Sequence, residues 1–471
     1  MDDAGCDGVS EITDVGARPV RRGMIFTIVA LTLLMVSIDA TIVATALHAL
    51  QQAMDTTVNW AGWTLTSYSF GYALMLPISG ALSERFGRRR VFLASVITFT
   101  AASLLCGLAD NIAVLVALRA IQAGGGAGFM PSATAIIVDY FGDSRDRAVS
   151  LFGSILPIGS MIGPIFGGLF VTYWSWRAVF YVNVPIGIAV VVAALHYIPR
   201  DPRRRRARDF TLDFPGIALL GVGLITGMLA VSHLGGAEIH VLSLSFLVPA
   251  AAAVASLRLF FRHINRAVDP LIAPELIRGP NFGAVNLINV IHNGMMLGAV
   301  ALIPLYGTNR YHLNAFDSGT LLLAQGIASV VVSFVAAMAL RRTGHRLPLY
   351  AGSVILASGM ALLAVPPPAG LSPHAWLAAA AGVIGVGIGA INPASRNAGL
   401  QLAPRRSSTL AALRSLGLQI GSIITVSTTT AILTGANAPG MAQAWVYAMM
   451  ALVLVAALPL ISRIPEHHGS W

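Results

Sequence analysis

Fourteen apolar stretches, each about long enough to cross a bilayer, follow one another with only short loops between them. They cover residues 24–47, 60–82, 91–108, 112–138, 148–172, 177–198, 214–232, 241–261, 282–306, 318–340, 347–365, 376–394, 409–433 and 443–462. This pattern constrains the fold more than any motif does. In hydrocarbon every backbone N–H and C=O must be satisfied within the protein, and single segments achieve that as helices. Of the 471 residues, 11% are charged and 56% hydrophobic, against about 25% charged in soluble domains. The expected class is an all-α integral membrane protein with no separate soluble domain.

Arginine sets the orientation. All 30 basic residues are arginine and the net charge is +10. With the N-terminus in the cytoplasm, Arg85, Arg88–Arg90, Arg203–Arg206, Arg341, Arg342 and Arg346 share one side, and the outer loops hold only Arg177 and Arg310. This is the positive-inside pattern, with both termini cytoplasmic, so the basic balance does not call for nucleic acid. The run Arg203–Arg206 reads as a topology anchor, with a lipid-headgroup site as the alternative. Cys6 and Cys106 are too differently placed to pair, and neither has a metal-ligand partner at useful spacing. There is no zinc-protease helix and no phosphate-binding loop ending in Gly-Lys-Ser. The expectation is a protein that is not an enzyme and binds no metal or organic cofactor.

An internal repeat is visible. Arg85, Gly87 and Arg89 follow the second stretch as Arg342, Gly344 and Arg346 follow the tenth. If stretches seven and eight are an insertion, both loops join the second and third helices of a six-helix half. The chain then divides into a tail (1–23), a first half (24–198), a linker with two extra helices (199–280), a second half (281–462) and a second tail (463–471). Two parallel six-helix halves around a central site form one transporter architecture.

Further motifs lie in order along the first half. They are Ile38-Asp39-Ala40-Thr41, the loop Gly80 to Arg90 with Glu84, Arg119 with Gln122 and Gly124, and Gly159, Gly163-Pro164 and Gly167-Gly168. Trp176-Arg177, Phe180, Asn183 and Pro185 follow. Together they resemble the fourteen-span drug:proton antiporters of the major facilitator superfamily, over nearly the whole chain. Glu84 departs from that family's usual Asp, His48 from its Pro and Ser150 from its Gly. No acid lies within stretches nine to fourteen, where some multidrug members carry one.

The resemblance implies the major-facilitator fold, with two six-helix halves plus two extra central helices, fourteen transmembrane helices in all. It implies a monomer in the cell membrane, in contact with membrane lipid, that exports lipophilic small molecules by alternating access with the proton as coupling ion. Competing readings are a dedicated exporter or proton symporter of one endogenous metabolite, and a non-transporting scaffold or sensor.

Few ionisable residues lie well inside the spans. They are Asp39, Arg119, His292 and Arg414, with Arg258 nearer an end. Each costs at least roughly 2.5 kcal/mol there, which makes it a functional candidate. At 1.5 Å per residue, Asp39 and Arg119 both fall roughly 10–12 Å below the outer edge, at matching depth. They are the proton-coupling candidates, with a static packing ion pair as the alternative. Gln122, Tyr68, Tyr72, His292 and Asn293 are candidates for the substrate cavity. Gly80, Glu84, Arg85, Gly87 and Arg89 are candidates for a gating latch. Gly159, Gly163 and Gly167 recur every four residues and so share one helix face. That face admits another helix to backbone contact, expected here between the halves, with Gly168 beside it. Pro164 lacks the N–H that would bond the carbonyl of Ser160, giving a place to bend.

Overall fold

The computed structural model describes residues 21–141, 145–199, 213–233, 243–267, 270, 272, 274–278, 282–402, 407–464 and 466, and every regular element among them is helical. The first half runs α1 (Arg22–Ala53), α2 (Val58–Phe86), α3 (Arg88–Leu108), α4 (Ile112–Ala127), α5 (Phe129–Phe141), α6 (Arg145–Tyr173), α7 (Ala178–Tyr181) and α8 (Asn183–Tyr197). A hairpin of α9 (Phe214–His233) and α10 (Leu244–Ile264) follows, then the short α11 (Glu275–Arg278). The second half opens with one interrupted helix: α12 (Phe282–Ile288), a π-helical turn Asn289–Gly294, α13 (Met295–Ala301) and α14 (Ile303–Tyr311). It continues through α15 (Ala315–Thr343), α16 (Arg346–Ala364), α17 (Pro373–Leu402), α18 (Ser407–Thr434), α19 (Pro439–Ala456) and α20 (Leu458–Ile461).

Among the described residues, 12 helices are long and apolar enough to cross a membrane, where the sequence reading expects fourteen. The two expected spans outside that count are α2 and α6, each 29 residues long. Length is not what they lack. Thr64, Thr66, Ser67, Ser79 and Ser83 punctuate α2, and in α6 most side chains before Ile158 lie outside the described residues. The run Arg203–Arg206, both outer parts of the tails and the side chain of Glu84 lie outside the described residues.

The two halves repeat one packing scheme. A side chain at Gly71 of α2 would strike the carbonyl of Ala120 on α4, and one at Gly385 of α17 would strike the carbonyl of Gln325 on α15. The second and fourth long helices of each half therefore meet backbone to backbone at a glycine. The second helix of each half also ends alike, on Gly87 (φ 99°) and Gly344 (φ 68°), which take positive φ at little steric cost. Past each glycine an arginine clasps the end of its own half. Arg89 Nη2 donates to the carbonyl of Leu195 at 2.8 Å, and Arg346 Nε donates to the carbonyl of Ile464 at 2.8 Å. Glu466, in the second tail, accepts from the His345 N–H at 2.7 Å and pairs with Arg346 at 3.6 Å. Of the other latch candidates, Arg85 lies 5.4 Å from the ring centre of Phe86, and a side chain at Gly80 would meet nothing within 4 Å.

The halves share a buried core at the end remote from the chain termini. There Ile42, Leu47, Leu50, Trp176 and Phe180 of the first half pack in one cluster with Leu302, Leu305, Val426 and Leu433 of the second. The Asn59 N–H donates to Thr434 Oγ1 at 3.1 Å and Thr430 Oγ1 donates to Asn59 Oδ1 at 3.4 Å across the same seam. On the opposite seam, a side chain at Gly168 of α6 would meet the Ala315 carbonyl of α15 at 2.6 Å. The cores nearer the termini each stay within one half, around Phe92, Phe99 and Phe129 in the first and Leu349, Leu356 and Met360 in the second. The extra hairpin lies along α2 and α18, with Leu220 and Phe260 packed toward Leu413 and Leu416. Asp213 and His263 close its base at 2.6 Å.

The clasp at Glu466 joins partly exposed groups, so its worth is about 0.2–1 kcal/mol. A double-mutant cycle of Arg346→Ala and Glu466→Ala, read by thermal unfolding in lipid nanodiscs, should give a coupling of that size.

Candidate functional site

The far ends of α1, α2, α3, α4, α7 and α8 converge on one buried polar cluster. Asp39 comes from α1, and Arg119 and Gln122 from α4, where a spacing of three puts them on one face. Asn111 caps the start of α4 by accepting from the Ala113 N–H at 2.8 Å, which fixes the register of both. Asn183 stands at the start of α8 and Ser103 on α3. Asp39, Arg119, Gln122 and Ser103 are all 0% exposed and Asn183 is 2% exposed.

Arg119 Nη1 donates to Asp39 Oδ2 at 2.8 Å and to Gln122 Oε1 at 2.7 Å. Gln122 Nε2 donates to Asp39 Oδ1 at 2.9 Å and to Ser103 Oγ at 2.6 Å. Asn183 Nδ2 donates to Asp39 Oδ1 at 2.8 Å. Arg119 Nε reaches the Thr64 carbonyl at 3.4 Å, and its guanidinium carbon lies 4.2 Å from the Tyr68 ring centre and 5.6 Å from that of Phe180. Asp39 thus accepts three N–H bonds, one of them from a cation. Charge-assisted bonds of this kind are the stronger ones.

The glycine face of α6 packs inside the first half. Side chains at Gly159, Gly163 and Gly167 would meet α1, at Ser37, Thr41 with the Ile38 carbonyl, and Thr45. The sequence reading expects this face between the halves. Among the described glycines of α6, Gly168, the neighbour off that face, is the one that meets α15, while the Pro164 carbonyl receives Gly319 of α15. The reason is the four-residue period, which selects a single neighbouring helix. That neighbour carries Asp39, so the stripe sets where the carboxylate stands.

The structure divides the cavity candidates. Gln122 and Tyr68 belong to the Asp39 cluster, and Tyr72, one turn from Tyr68, is half-buried beside the near-terminal core. His292 and Asn293 are far along the chain from these, in the π-helical turn. Asn293 Nδ2 donates to Ser395 Oγ at 3.1 Å, and Ser395 Oγ donates to Asn289 Oδ1 at 2.6 Å. Neither ring nitrogen of His292 makes a hydrogen bond of ordinary geometry. A cleft of about 350 Å³ lies between α1 and α6, lined by Phe26, Ala30, Leu31, Leu34, Ile155 and Ile158. Among the described residues no group of three or more His, Cys, Asp or Glu could hold a metal. Sequence reasoning names Asn183 as part of a motif but not as a partner of Asp39, and it misses Ser103 and the Thr64 carbonyl. An amide in an apolar helix was the one available signal.

Residues 29–426 match the Major Facilitator Superfamily. The chain belongs to that superfamily. It is 29% identical over 411 residues to the multidrug resistance protein B homolog of Mycobacterium tuberculosis, spanning 85% of this chain and 74% of that one. It is 30% identical over 424 residues to the methylenomycin A resistance protein of Streptomyces coelicolor, spanning 89% of this chain and 87% of that one. The fold is also similar to the crystal structure of a D-xylose-proton symporter, at a TM-score of 0.65 and 14% identity, over 94% of this chain and 98% of that one. Within the superfamily member described here, the buried pair and the glycine stripe are the two features that a substitution can separate.

Removing one partner of a buried pair strands the other, at a cost of about 3–5 kcal/mol. Arg119→Ala should therefore lower the unfolding temperature in nanodiscs more than the double variant Asp39→Ala/Arg119→Ala does. Gly163→Leu should leave the protein in the membrane but shift α1, seen as a changed reactivity of cysteines introduced on α1 and α4.

Proposed function

We propose that this protein is a proton-coupled secondary transporter that exports lipophilic small molecules by alternating access. The observation that carries the reading is the buried Asp39 carboxylate, held at once by Arg119, Gln122 and Asn183. Three features support it further. Relatives spanning most of the chain are named for multidrug and antibiotic resistance. The cleft between α1 and α6 is lined by apolar side chains. Among the described residues the halves share a mixed core at the end remote from the termini, which suits a rocking motion about a central cavity.

In this reading the cluster alternates between two arrangements. When the far ends are packed together, the N–H donors occupy the Asp39 carboxylate. As the halves rock, α4 and α8 shift away from α1 within the first half, the donors leave, and a proton from the opposite side binds a carboxylate oxygen. Return of Arg119 to the carboxylate expels that proton on the other side. Each pH unit across the membrane supplies about 1.4 kcal/mol, and each charge crossing 100 mV adds about 2.3 kcal/mol. The proposal includes fourteen spans, with α2 and α6 crossing alongside the other twelve helices. It also includes a monomer in the cell membrane with both termini cytoplasmic and no bound cofactor.

A second reading, a dedicated exporter of one compound, draws on the relative named for resistance to a single antibiotic, methylenomycin A. Drug susceptibility of cells with and without the protein, at two external pH values, separates the two: a broad protected panel supports multidrug export and one protected compound supports the dedicated exporter.

In proteoliposomes, an imposed proton gradient should drive accumulation of a protected compound, and Asp39→Asn should abolish that drive while leaving counterflow exchange. Gradient-driven transport at the wild-type rate in Asp39→Asn would overturn the assignment of Asp39.

A further inference from the structure

The membrane-embedded part of the protein holds a second arginine, half-exposed, whose surroundings differ from those of Arg119. Arg414 lies seven residues into α18, about 10 Å along the helix from its start. Its Nη2 donates to Asn392 Oδ1 of α17 at 2.8 Å. Its Nε is buried and has no hydrogen-bond partner among the described residues. The head therefore points to a neighbouring helix, not along its own helix toward the lipid headgroups.

Arg119 has a carboxylate beside it, whereas Arg414 has an amide. Between Asp317 and Glu466 the sequence contains no Asp or Glu at all. Among the described residues Arg414 makes no ion pair, and Arg396, one turn beyond Asn392, adds a second cation on α17. A cation within a span costs roughly 2.5–3.5 kcal/mol, and an amide partner offsets that less than an anion would.

Polar groups without charge stand one turn away on the same two helices. On α17, Ser395 follows Asn392 by three residues and donates to Asn289 Oδ1 at 2.6 Å. On α18, Gly417 follows Arg414 by three residues, and a side chain there would meet Asn289 Cβ at 3.8 Å. Asn293 Nδ2 completes the group, 3.3 Å from Asn289 Oδ1. The π-helical turn that carries Asn289 and Asn293 is pressed against α18 by Gly294 and Gly421, whose added side chains would strike backbone on the other helix. Single π turns are frequent at functional sites. Asn392 and Arg414 are half-exposed and Arg396 is exposed, so a ligand can reach the cation from the near-terminal side, where the described cores stay within one half.

We infer that Arg414, with Asn392 and the Asn289–Asn293–Ser395 group one turn away, recognises the acidic group of an amphiphilic organic anion carried by this transporter. The inference rests on the export reading and narrows its cargo to lipophilic compounds bearing one carboxylate or a comparable anionic group. The guanidinium supplies the charge and N–H donors, and the amide and hydroxyl groups orient the anion.

The test uses the full chain in lipid nanodiscs, at neutral pH and without a proton gradient, so it is independent of the coupling role of Asp39. Three matched probes are compared by thermal stabilisation: 1-naphthoate, 1-naphthamide and 1-naphthylmethylammonium. The anion should bind about tenfold or more tightly than the neutral amide, as a charge-assisted hydrogen bond allows. Arg414→Gln should bring the two to equal affinity, and Arg414→Lys should keep part of the preference. Should Arg414→Gln not fold, Asn392→Ala, which leaves the cation in place, should weaken the anion and not the amide. Discs of pure phosphatidylcholine and discs with phosphatidylglycerol distinguish the source of the anion. If a lipid phosphate is what Arg414 holds, stability rises with phosphatidylglycerol, this rise is lost in Arg414→Gln, and the acid shows no preference over the amide. That outcome overturns the inference. So does equal binding of anion and amide by the wild-type protein, or an anion preference that survives in Arg414→Gln.

Discussion

An ionised carboxylate can sit in the middle of a helix bundle only if the protein replaces the water it gives up. At Asp39 that replacement comes from Arg119, Gln122 and Asn183, and it draws on helices that are distant in sequence. The arginine in turn needs the Thr64 carbonyl and the face of Tyr68, and the glutamine needs Ser103. Five long helices of the first half are therefore held in mutual register by one charge. The sixth, α6, acts through packing. Its glycines let it approach α1 at backbone distance and so set the position of Asp39. A network of this kind is costly when partly satisfied and rigid when complete. Those properties suit a switch with two discrete arrangements.

The two halves share a scaffold but not a chemistry. Backbone contact at Gly71 and Gly385, positive φ at Gly87 and Gly344, and the arginine clasps at Arg89 and Arg346 recur at matching places. These are requirements of packing and turning a chain, and both halves face them. The polar interiors are free to differ. One holds a carboxylate closed in by donors; the other holds a cation with amides and a hydroxyl beside it. This divides labour within the superfamily fold, with an internal ion pair on one side and a cation available to an external anion on the other.

Much of the architecture was legible in the chain because bilayer physics reads out in a one-dimensional pattern. Long apolar runs with arginine on one side announce the helices, and the matched loops at Arg85–Arg89 and Arg342–Arg346 announce the repeat. The equal depth of Asp39 and Arg119 follows from counting residues along two helices. What counting could not supply is azimuth. Asn183 and Ser103 lie on helices whose rotation about their axes no local pattern specifies, so their place beside Asp39 and Gln122 was not visible. The same limit misplaced the glycine stripe of α6. Spacing shows that Gly159, Gly163 and Gly167 share a face but not which helix that face meets.

The amino-acid pattern alone settled an all-helical membrane protein with a duplicated body, because hydrocarbon leaves a long apolar segment no other way to satisfy its backbone. It also settled that charge inside the spans is confined to a few positions. The tertiary structure decided what each of those charges meets. Asp39 and Arg119 are 80 residues apart and become a bonded pair, while Arg414, in a stretch without acids, finds an amide on α17. Partnership between helices depends on their packing and rotation, which arise from side-chain complementarity across the whole bundle and leave no periodic trace in any one segment.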